Sequence, residues 1–452
     1  MAGSRQHVRP VLYKGLEPYT EEDADLLFGR DGERDRLIYS LQSSRLTILY
    51  GARQVGKTSV LRAAVTNQLR QKSKKRADSA APESAVVVFK EWSGADVIAR
   101  LSSAIEAELK RIGVATTGIL DKSQGFVGCC EAWTKCLGER DEEGELLLLL
   151  DNFDEYLLLQ PHYNADPGSF DIEFPRVVST RGLAVNCLIA VRDDVLSGLD
   201  RYRSAIPTLY DNLIRLEPLT RRQAREAIQN PVYVTYNQRY QDNKIGIEAE
   251  LVQAVLSAVS VDRFSDGANS SGSRGPSDER FDTGGLQLAM KAVWEWETDH
   301  GSQTLRRDTF EQNLQGILGI TAKYVDERFD ALTARERHLS ARVFDHLVTP
   351  GGVGVAYQLS DLAGRVGVTE TEVKAVIGKL EDQKMVIGSA SGRSLGSVCY
   401  EMAHRILTPA VLDRVHNYYA ERSAEEKRLA STIANSSRLF SATSQTDGLK
   451  TI

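Results

Sequence analysis

Short apolar runs alternate with amphipathic stretches over residues 46–217 of the chain. The runs have the length of β-strands and carry few polar residues on either face, as expected for strands buried on both sides of a parallel sheet. The stretches between them, for example 58–69 and 96–112, have helical periodicity. This alternation predicts a layered α/β domain. The five predicted strands are residues 46–50, 85–89, 146–150, 185–191 and 213–216.

The pattern becomes mainly helical after the last of these strands. Thr220 and Gln223 have the spacing of a capping box, and we expect Pro231 to end the helix that they begin. Residues 262–285 are rich in Gly, Ser, Asp and Arg and poor in aliphatic residues, which predicts a flexible insertion. Between 332 and 405, three helical patterns precede two strand-like runs, an order typical of a winged helix.

Composition and charge exclude several classes of protein. The 452 residues are 42% hydrophobic and 26% charged, which is ordinary for soluble globular chains. No apolar run approaches the ~18 residues of a membrane-spanning helix, and the N-terminus lacks the apolar core of a signal peptide. Five sparse cysteines without metal-ligand spacing predict a cytoplasmic protein with reduced thiols and no membrane contact. The net charge of −6 provides no overall positive field for nucleic acid.

The sequence from Gly51 to Thr58, Gly-Ala-Arg-Gln-Val-Gly-Lys-Thr, fits the Gly-x4-Gly-Lys-Thr phosphate loop. It follows a predicted strand and opens a predicted helix, where backbone amides and a helix N-terminus can bind phosphate. We expect Lys57 to contact the β- and γ-phosphates and the Thr58 hydroxyl to ligate Mg²⁺. The alternative is a glycine turn with a surface lysine. The predicted nucleotide-binding residues of this loop are Gly51, Ala52, Arg53, Gln54, Val55, Gly56, Lys57, Thr58 and Ser59.

Asp151 follows the predicted strand 146–150, so we expect its carboxylate at the carboxyl end of the sheet, beside the phosphate loop. There it would hold Mg²⁺, through water, together with Thr58. Glu155, or alternatively Asp154, is the candidate base that orients and deprotonates the attacking water. The structural alternative is a buried strand followed by the acidic N-terminus of a helix.

Three arginines are candidates for contact with the γ-phosphate. Arg192 follows the fourth predicted strand and would sense this phosphate, unless it pairs with Asp193 or Asp194 at the surface. Arg201 and Arg203 lie on the next predicted helix, from which either could reach the nucleotide of a neighbouring subunit. The alternative for both is an ordinary charge on a helix surface.

The order of these motifs resembles the STAND ATPases, the signal-transducing branch related to AAA+ proteins, and within it the bacterial novel-STAND group. The resemblance covers residues 24–420; the phosphate loop is generic, whereas Leu-Glu-Pro-Leu-Thr at 216–220 and the helix after it are specific. It implies a P-loop NTPase α/β domain with a parallel sheet, followed by a helical lid and a winged-helix domain. The implied divisions are an N-terminal arm (1–23), a nucleotide-binding domain (24–217), a lid (218–328) with the insertion 262–285, a winged helix (329–420) and a tail (421–452).

The resemblance also implies roles for residues outside the phosphate loop. Gly29 and Arg30 would lie near the adenine and ribose, and Pro231 would pack against the base from the lid. His404 would hold the β-phosphate of ADP and lock the winged helix onto the nucleotide domain; a structural histidine is the alternative. The family usually adds an effector module before the ATPase and a repeat sensor after the winged helix. Since few residues flank the motifs here, we expect a separate sensor or effector partner, or a longer protein of which this chain is the core.

The function that these features predict is an ATP-operated switch. ADP would stabilise a closed monomer, ATP would favour an open form that self-oligomerises, and slow hydrolysis would reset the switch. The resemblance implies a role in bacterial signalling or antiphage defence. One alternative is a DNA-directed AAA+-type ATPase, which the excess of acidic side chains on the candidate recognition helix (369–384) disfavours. The other is a non-hydrolysing scaffold stabilised by nucleotide.

Overall fold

A computed structural model of the chain describes residues 10–77, 82–94, 96–114, 125–137, 144–261, 279–390 and 398–425. The residues up to Ile320 belong to one compact unit, and Thr321–Gly388 with the residues from Tyr400 belong to a second. Within the described ranges, no helix has both the length and the apolar character that a bilayer crossing requires.

Five parallel strands form the central sheet of the first unit. They are β1 (Leu46–Gly51), β2 (Ser84–Phe89), β3 (Glu145–Leu150), β4 (Val185–Arg192) and β5 (Leu213–Arg215). Their spatial order is β2-β3-β4-β1-β5. All five predicted strands are confirmed. The first four are mostly buried, as expected for apolar strands with helices on both faces of the sheet, whereas β5 at one edge is exposed at two of its three residues.

Helices cover both faces of this sheet in two hydrophobic layers. Leu37 and Leu41 lie in one layer, and Trp92, Trp133 and Phe153 lie in the other. The helices are α1 (Asp31–Ser43), α2 (consecutive segments Lys57–Ser59, Val60–Thr66 and Asn67–Ala77), α3 (Val97–Arg111), α4 (Gly125–Lys135), α5 (Phe153–Leu159) and α6 (Phe170–Ser179). The sequence predicted α2 and α3, and it offered the start of α5 as the structural alternative for the acidic residues after β3. The helix predicted after β4 is the 3₁₀ helix Asp193–Tyr202. The sequence did not predict α1, α4 and α6.

A helical lid follows β5 within the same unit. The predicted capping box of Thr220 and Gln223 is present at the start of its first helix. Pro231 does not end that helix, contrary to our prediction: the chain continues as a π-helical segment and one more short helical turn. Proline fits there because it is the first residue of the widened segment, where its missing N–H is least needed. The lid helices are α7 (Arg221–Asn230, then Pro231–Tyr236 and Asn237–Arg239), α8 (Ala249–Ala258) and α9 (Thr283–Asp299).

Two short strand pairs join parts of the lid. Strand β6 (Leu219–Thr220) pairs antiparallel with β8 (Arg280–Phe281), and β7 (Gly246–Ile247) pairs parallel with β9 (Thr304–Leu305). Of the predicted insertion 262–285, residues 262–278 lie outside the described ranges. Its last residues are regular, since they form β8 and the first turn of α9.

The predicted N-terminal arm is packed against the rest of the unit wherever it is described. Leu12, Tyr13 and Tyr19 are almost fully buried. A 3₁₀ helix, Glu21–Leu26, follows them. Burial of the apolar surface of these side chains stabilises this stretch, although it has little regular secondary structure.

Helix α10 (Gly316–Asp330) leads into the second unit. This unit contains α11 (Ala334–Leu347), α12 (Leu359–Val366), α13 (Glu370–Asp382) and a helix at 408–425, with strands β10 (Tyr357–Gln358), β11 (Val386–Ala390) and β12 (Val398–Met402). The three strands form one sheet in the order β10-β12-β11. Three helices followed by two strands is the order that the sequence predicted for a winged helix, and β10 is an addition.

Candidate functional site

The phosphate loop lies between the end of β1 and the start of α2. Gly56 has a φ of +99°, a left-handed conformation that a side chain would strain. Gly51 has no room for a side chain, because a Cβ atom there would lie 2.5 Å from the carbonyl oxygen of Leu216. The glycines thus permit a tight turn whose amides, with the N-terminus of α2, suit an anion.

Lys57, the loop lysine, contacts the backbone of its own loop. Its Nζ atom donates to the carbonyl oxygens of Gly51 at 2.8 Å and Ala52 at 3.0 Å. Burial lowers the pKa of Lys57, and the neighbouring carboxylates of Asp154 and Asp193 oppose that shift. A phosphate would offer this ammonium group a charged acceptor in place of two neutral ones, which is the stronger hydrogen bond.

Asp151 is fully buried directly after β3, where its carboxylate accepts three hydrogen bonds. Oδ1 accepts from Thr58 Oγ1 at 3.1 Å and from the amide of Asn152 at 3.0 Å, and Oδ2 accepts from Arg62 at 2.9 Å. The indole of Trp92 donates to the backbone carbonyl of Asp151 at 2.7 Å and so holds the turn in place. The two predicted Mg²⁺ ligands, Thr58 and Asp151, are therefore together, and hydroxyl and carboxylate oxygens suit that cation.

The two candidate bases, Asp154 and Glu155, lie in the first turn of α5 but in different surroundings. Burial raises the pKa of Asp154, and the positive charges of Arg192 and Lys57 oppose this shift. Glu155 is exposed. Asp154 therefore interacts electrostatically with the lysine of the phosphate loop.

The three candidate arginines also differ in their surroundings. Arg192 is opposite Gly51 in the neighbouring strand, is buried, and pairs with Asp194. The side chain of Arg201 is 9% exposed and donates to two backbone carbonyls of the loop after α5, at 2.7 and 3.0 Å. Arg203 is exposed. Arg201 therefore holds its own subunit together, whereas Arg203 is accessible to a neighbour.

Gly29 and Arg30 connect the phosphate loop to the lid. A Cβ atom on Gly29 would lie 2.4 Å from the carbonyl oxygen of Gln223, so only glycine fits against the start of α7. The buried guanidinium of Arg30 donates to the backbone carbonyls of Val55 and Glu217, each at 2.9 Å. Arg30 thus fixes the loop relative to the link between β5 and α7. Contacts of this pair with adenine or ribose stay a prediction.

The lid also contacts the phosphate loop through the start of α9. The Thr283 hydroxyl donates to the carbonyl oxygen of Gln54 at 2.7 Å. Gln54 itself has a φ of +62°, uncommon for a residue with a side chain. Pro231 is buried within the lid, and its contact with the base stays a prediction. A lid bonded to the backbone of the loop can respond to what the loop binds.

No sequence pattern led us to place residues 10–20 at this site, yet they bridge α2 and the lid. The amide of Tyr19 donates to Ser59 Oγ at 3.1 Å, and its hydroxyl donates to Gln287 of α9 at 2.6 Å. The hydroxyl of Tyr13 donates to a backbone carbonyl of α7 at 2.5 Å. Burial raises the pKa of both phenols. The two tyrosines are the signal that could have identified this segment, because large aromatic side chains seldom lie in a free arm.

His404 lies in the second unit, directly before the 3₁₀ helix Arg405–Leu407, and is mostly buried. Its predicted contact with the ADP β-phosphate would join the two units. That contact, and the alternative of a structural histidine, stay predictions.

Solved structures with similar folds include the ORC1 protein of Aeropyrum pernix in complex with DNA. It is 17% identical in sequence over 87% of this chain and 94% of that chain, with a TM-score of 0.43. The ORC2 protein of Aeropyrum pernix, in ADPNP–ADP complexes, is 15% identical over 87% and 95% of the two chains, with a TM-score of 0.42. A Walker-type ATPase of Pyrococcus abyssi is 14% identical over 88% and 99%, with a TM-score of 0.41. Similarity this low indicates no ligand or partner for this chain. No curated protein matches the sequence.

The family of the chain follows from its sequence, in agreement with the fold. The phosphate loop after β1 and the buried Asp151 after β3, which β4 separates from β1 in the sheet, suit a P-loop NTPase. The model of the family Novel STAND NTPase 1 matches residues 13–448. This match confirms the resemblance that the motifs indicated. The chain therefore belongs to the Novel STAND NTPase 1 family and is a nucleotide-binding P-loop NTPase.

Proposed function

We propose that this NTPase is an ATP-operated switch. ADP held between the phosphate loop and the lid would stabilise a closed monomer, and ATP would favour an open form that self-associates. The observation that carries this proposal is the bond from Thr283 to the carbonyl of Gln54 at 2.7 Å, because it links the lid to the loop that binds phosphate.

The geometry of the loop supports the phosphate-binding roles that we assign. Lys57 would exchange its two backbone acceptors for the β- and γ-phosphates, while the loop amides bind the same groups. Thr58, and Asp151 through water, would hold Mg²⁺, which neutralises charge on those phosphates. Arg192 would contact the γ-phosphate after releasing Asp194. Arg203, which is exposed, is our choice for the residue that reaches a neighbouring subunit.

Slow hydrolysis would return the switch to its closed form. Either Glu155 or Asp154 would act as the base, and the isosteric variants Glu155→Gln and Asp154→Asn separate the two. Phosphate release should fall in the variant that lacks the base and change little in the other. Background-level release in the parent and both variants would remove the hydrolysis claim and leave the nucleotide-stabilised scaffold.

Mass photometry with ADP, ATP and a non-hydrolysable ATP analogue tests the switch itself. We expect monomers with ADP and larger species with ATP, and the analogue should retain the larger species longest. Lys57→Ala should remain monomeric in all three conditions. One mass distribution for the parent under every condition would contradict the proposal.

His404 would stabilise the closed form by holding the β-phosphate of ADP. His404→Ala should then speed ADP release and shift the mass distribution toward oligomers. His416→Ala, which removes an exposed histidine from the same unit, is the matched control. An unchanged ADP off-rate and mass would mean that His404 is a structural residue of the second unit.

The winged helix would serve protein contacts rather than DNA. Two ion pairs on the surface of this unit, Lys379–Glu336 and Arg335–Glu372, already occupy basic side chains in and near α13. A DNA phosphate would have to displace these ion pairs, and the acidic residues of the same helix would repel it. Retention of the chain on duplex DNA at low salt, lost as salt rises, would favour the DNA-directed alternative.

We place the switch in cytoplasmic signalling or antiphage defence, with a separate sensor or effector protein as partner. The family to which the chain belongs supports this context. Bacteria that express the chain with its partner should resist phage, and Lys57→Ala should abolish that resistance. Equal plating efficiency with the parent and with an empty vector would contradict a role in defence.

A further inference from the structure

Arg62 contacts the same carboxylate as Thr58. The two residues are four apart on helix α2, so their side chains lie on one face. Thr58 Oγ1 is 3.1 Å from Asp151 Oδ1, and a terminal nitrogen of Arg62 is 2.9 Å from Asp151 Oδ2. Neither the phosphate-loop motif nor the roles assigned above account for this arginine.

The Arg62–Asp151 pair is shielded from solvent. The Asp151 side chain is 1% exposed and that of Arg62 is 20% exposed. A carboxylate buried this deeply needs a compensating charge, and an ion pair shielded from water is weakened little by salt. Lys57 is directed elsewhere, toward the carbonyls of Gly51 and Ala52. Arg62 is therefore the direct cationic partner that compensates Asp151.

Arg62 and a divalent cation would both interact with Asp151. A cation near Thr58 and Asp151 would be repelled by the guanidinium of Arg62. It would also be attracted less strongly by Asp151, because the charge of that carboxylate is already partly neutralised. The same pair would keep Asp151 compensated while the cation and nucleotide leave. Exchange of nucleotide, which the proposed switch requires, would then leave no unpaired charge in the protein interior.

We propose that Arg62 is a positioning residue, an internal counter-ion of Asp151 that weakens divalent-cation binding at the nucleotide site. This inference rests on the proposed Mg²⁺–nucleotide site. Removing the charge of Arg62 should increase the affinity of the site for Mg²⁺. By reciprocity, Mg²⁺ should then slow nucleotide release more in the variant than in the parent.

The first experiment measures release of a fluorescent ADP analogue from the full chain as a function of Mg²⁺ concentration. In Arg62→Gln, the concentration for half-maximal retention should fall by about tenfold. Arg62→Lys keeps the charge and should stay closer to the parent. Lys72→Gln, which removes an exposed charge from the same helix, should match the parent. Equal Mg²⁺ dependence in Arg62→Gln and Lys72→Gln, with the analogue still bound, would overturn the inference.

The second experiment needs neither nucleotide nor Mg²⁺. Arg62→Gln should lower the urea midpoint of unfolding, because Asp151 loses its counter-ion. The same substitution in an Asp151→Asn background should have little effect, since the carboxylate that Arg62 compensates is absent there. Equal losses in both backgrounds would overturn the inference. If Arg62→Gln alone is insoluble, the double variant should be soluble, and failure of that rescue also counts against it.

The two experiments separate this inference from the proposed function. No binding of the ADP analogue to the parent, combined with a positive double-variant result, would contradict the nucleotide site and leave the Arg62–Asp151 pair intact. Normal binding by the parent with no effect of Arg62→Gln in either experiment would contradict the role of Arg62 alone.

Discussion

Two regions of the first unit each contain a fully buried aspartate, and their partners differ in kind. Asp151, after β3, accepts hydrogen bonds from Thr58 and Arg62 of the phosphate-loop helix. Asp171, at the start of α6, accepts from the hydroxyl of Tyr202, in the stretch after β4. Burial alone therefore does not distinguish a carboxylate that we propose binds a ligand from one that holds the fold.

The partners of the two carboxylates differ in how freely they can change. Tyr202 is fully buried, and Arg201, 3.7 Å from Asp171, uses its other hydrogen bonds on backbone carbonyls. Arg62, by contrast, is 20% exposed. We therefore expect the Asp151 region to exchange partners on ligand binding and the Asp171 region to keep its partners. We expect changes near Asp171 to affect stability and changes near Asp151 to affect nucleotide binding.

The largest expected effect is on stability, from Asp171→Ala. The variant removes the acceptor of the buried Tyr202 hydroxyl and the carboxylate that pairs with Arg201 at 3.7 Å, so we expect unfolding to become easier by about 3–5 kcal/mol. Urea denaturation of the full chain measures this loss. Asp166→Ala removes an exposed carboxylate from the loop before α6 and should leave the midpoint unchanged. A stable Asp171→Ala protein with impaired nucleotide binding would contradict the structural role that we assign to Asp171.

The next largest effect should be on binding, from Lys57→Ala. The variant loses a charge-assisted bond to phosphate, so we expect affinity for ADP to fall by about 100-fold. The urea midpoint without nucleotide should stay near that of the parent, since Lys57 bonds only neutral carbonyls of its own loop. Lys72→Ala is the charge-matched control on the same helix. Normal ADP affinity in Lys57→Ala would mean that the loop does not bind phosphate.

The Asp151 region was more predictable from sequence than the Asp171 region. The Asp151 region is built from two local sequence patterns. One is a strand followed by a glycine turn and the start of a helix, and the other is an apolar strand followed by a carboxylate. Arg62 was within reach of the same reasoning, because it lies one helical turn after Thr58 and so shares its face. The motif for phosphate loops ends at Thr58, and our prediction went only one residue further, to Ser59.

Contacts between distant residues were not predictable. Tyr202 meets Asp171 across 31 positions, and the amide of Tyr19 meets Ser59 across 40. No local spacing indicates such pairs, which depend on how the helices pack on the sheet. The continuation of α7 through Pro231 is a related failure, because a local rule for proline was overridden by a widened helical segment.

A smaller loss of stability should follow from Tyr202→Phe. The substitution keeps the ring in the aromatic cluster and removes one hydrogen bond to a buried carboxylate, which should lower stability by about 2 kcal/mol. Tyr210→Phe removes a comparable bond to Asp200 near the surface and should cost less. Thermal or urea unfolding gives both values. Equal losses would mean that burial does not strengthen the Asp171 network.

The smallest effect should come from Thr283→Val, which removes the hydroxyl bonded to Gln54 and keeps the shape of the side chain. One neutral hydrogen bond contributes about 1 kcal/mol, so ADP should leave about fivefold faster while the unfolding midpoint changes little. Thr298→Val, whose hydroxyl bonds only within α9, is the matched control. A faster off-rate would place the lid with the exchangeable Asp151 region. An unchanged off-rate with lower stability would place it with the fixed Asp171 region, and the lid could not then report on the nucleotide through this bond.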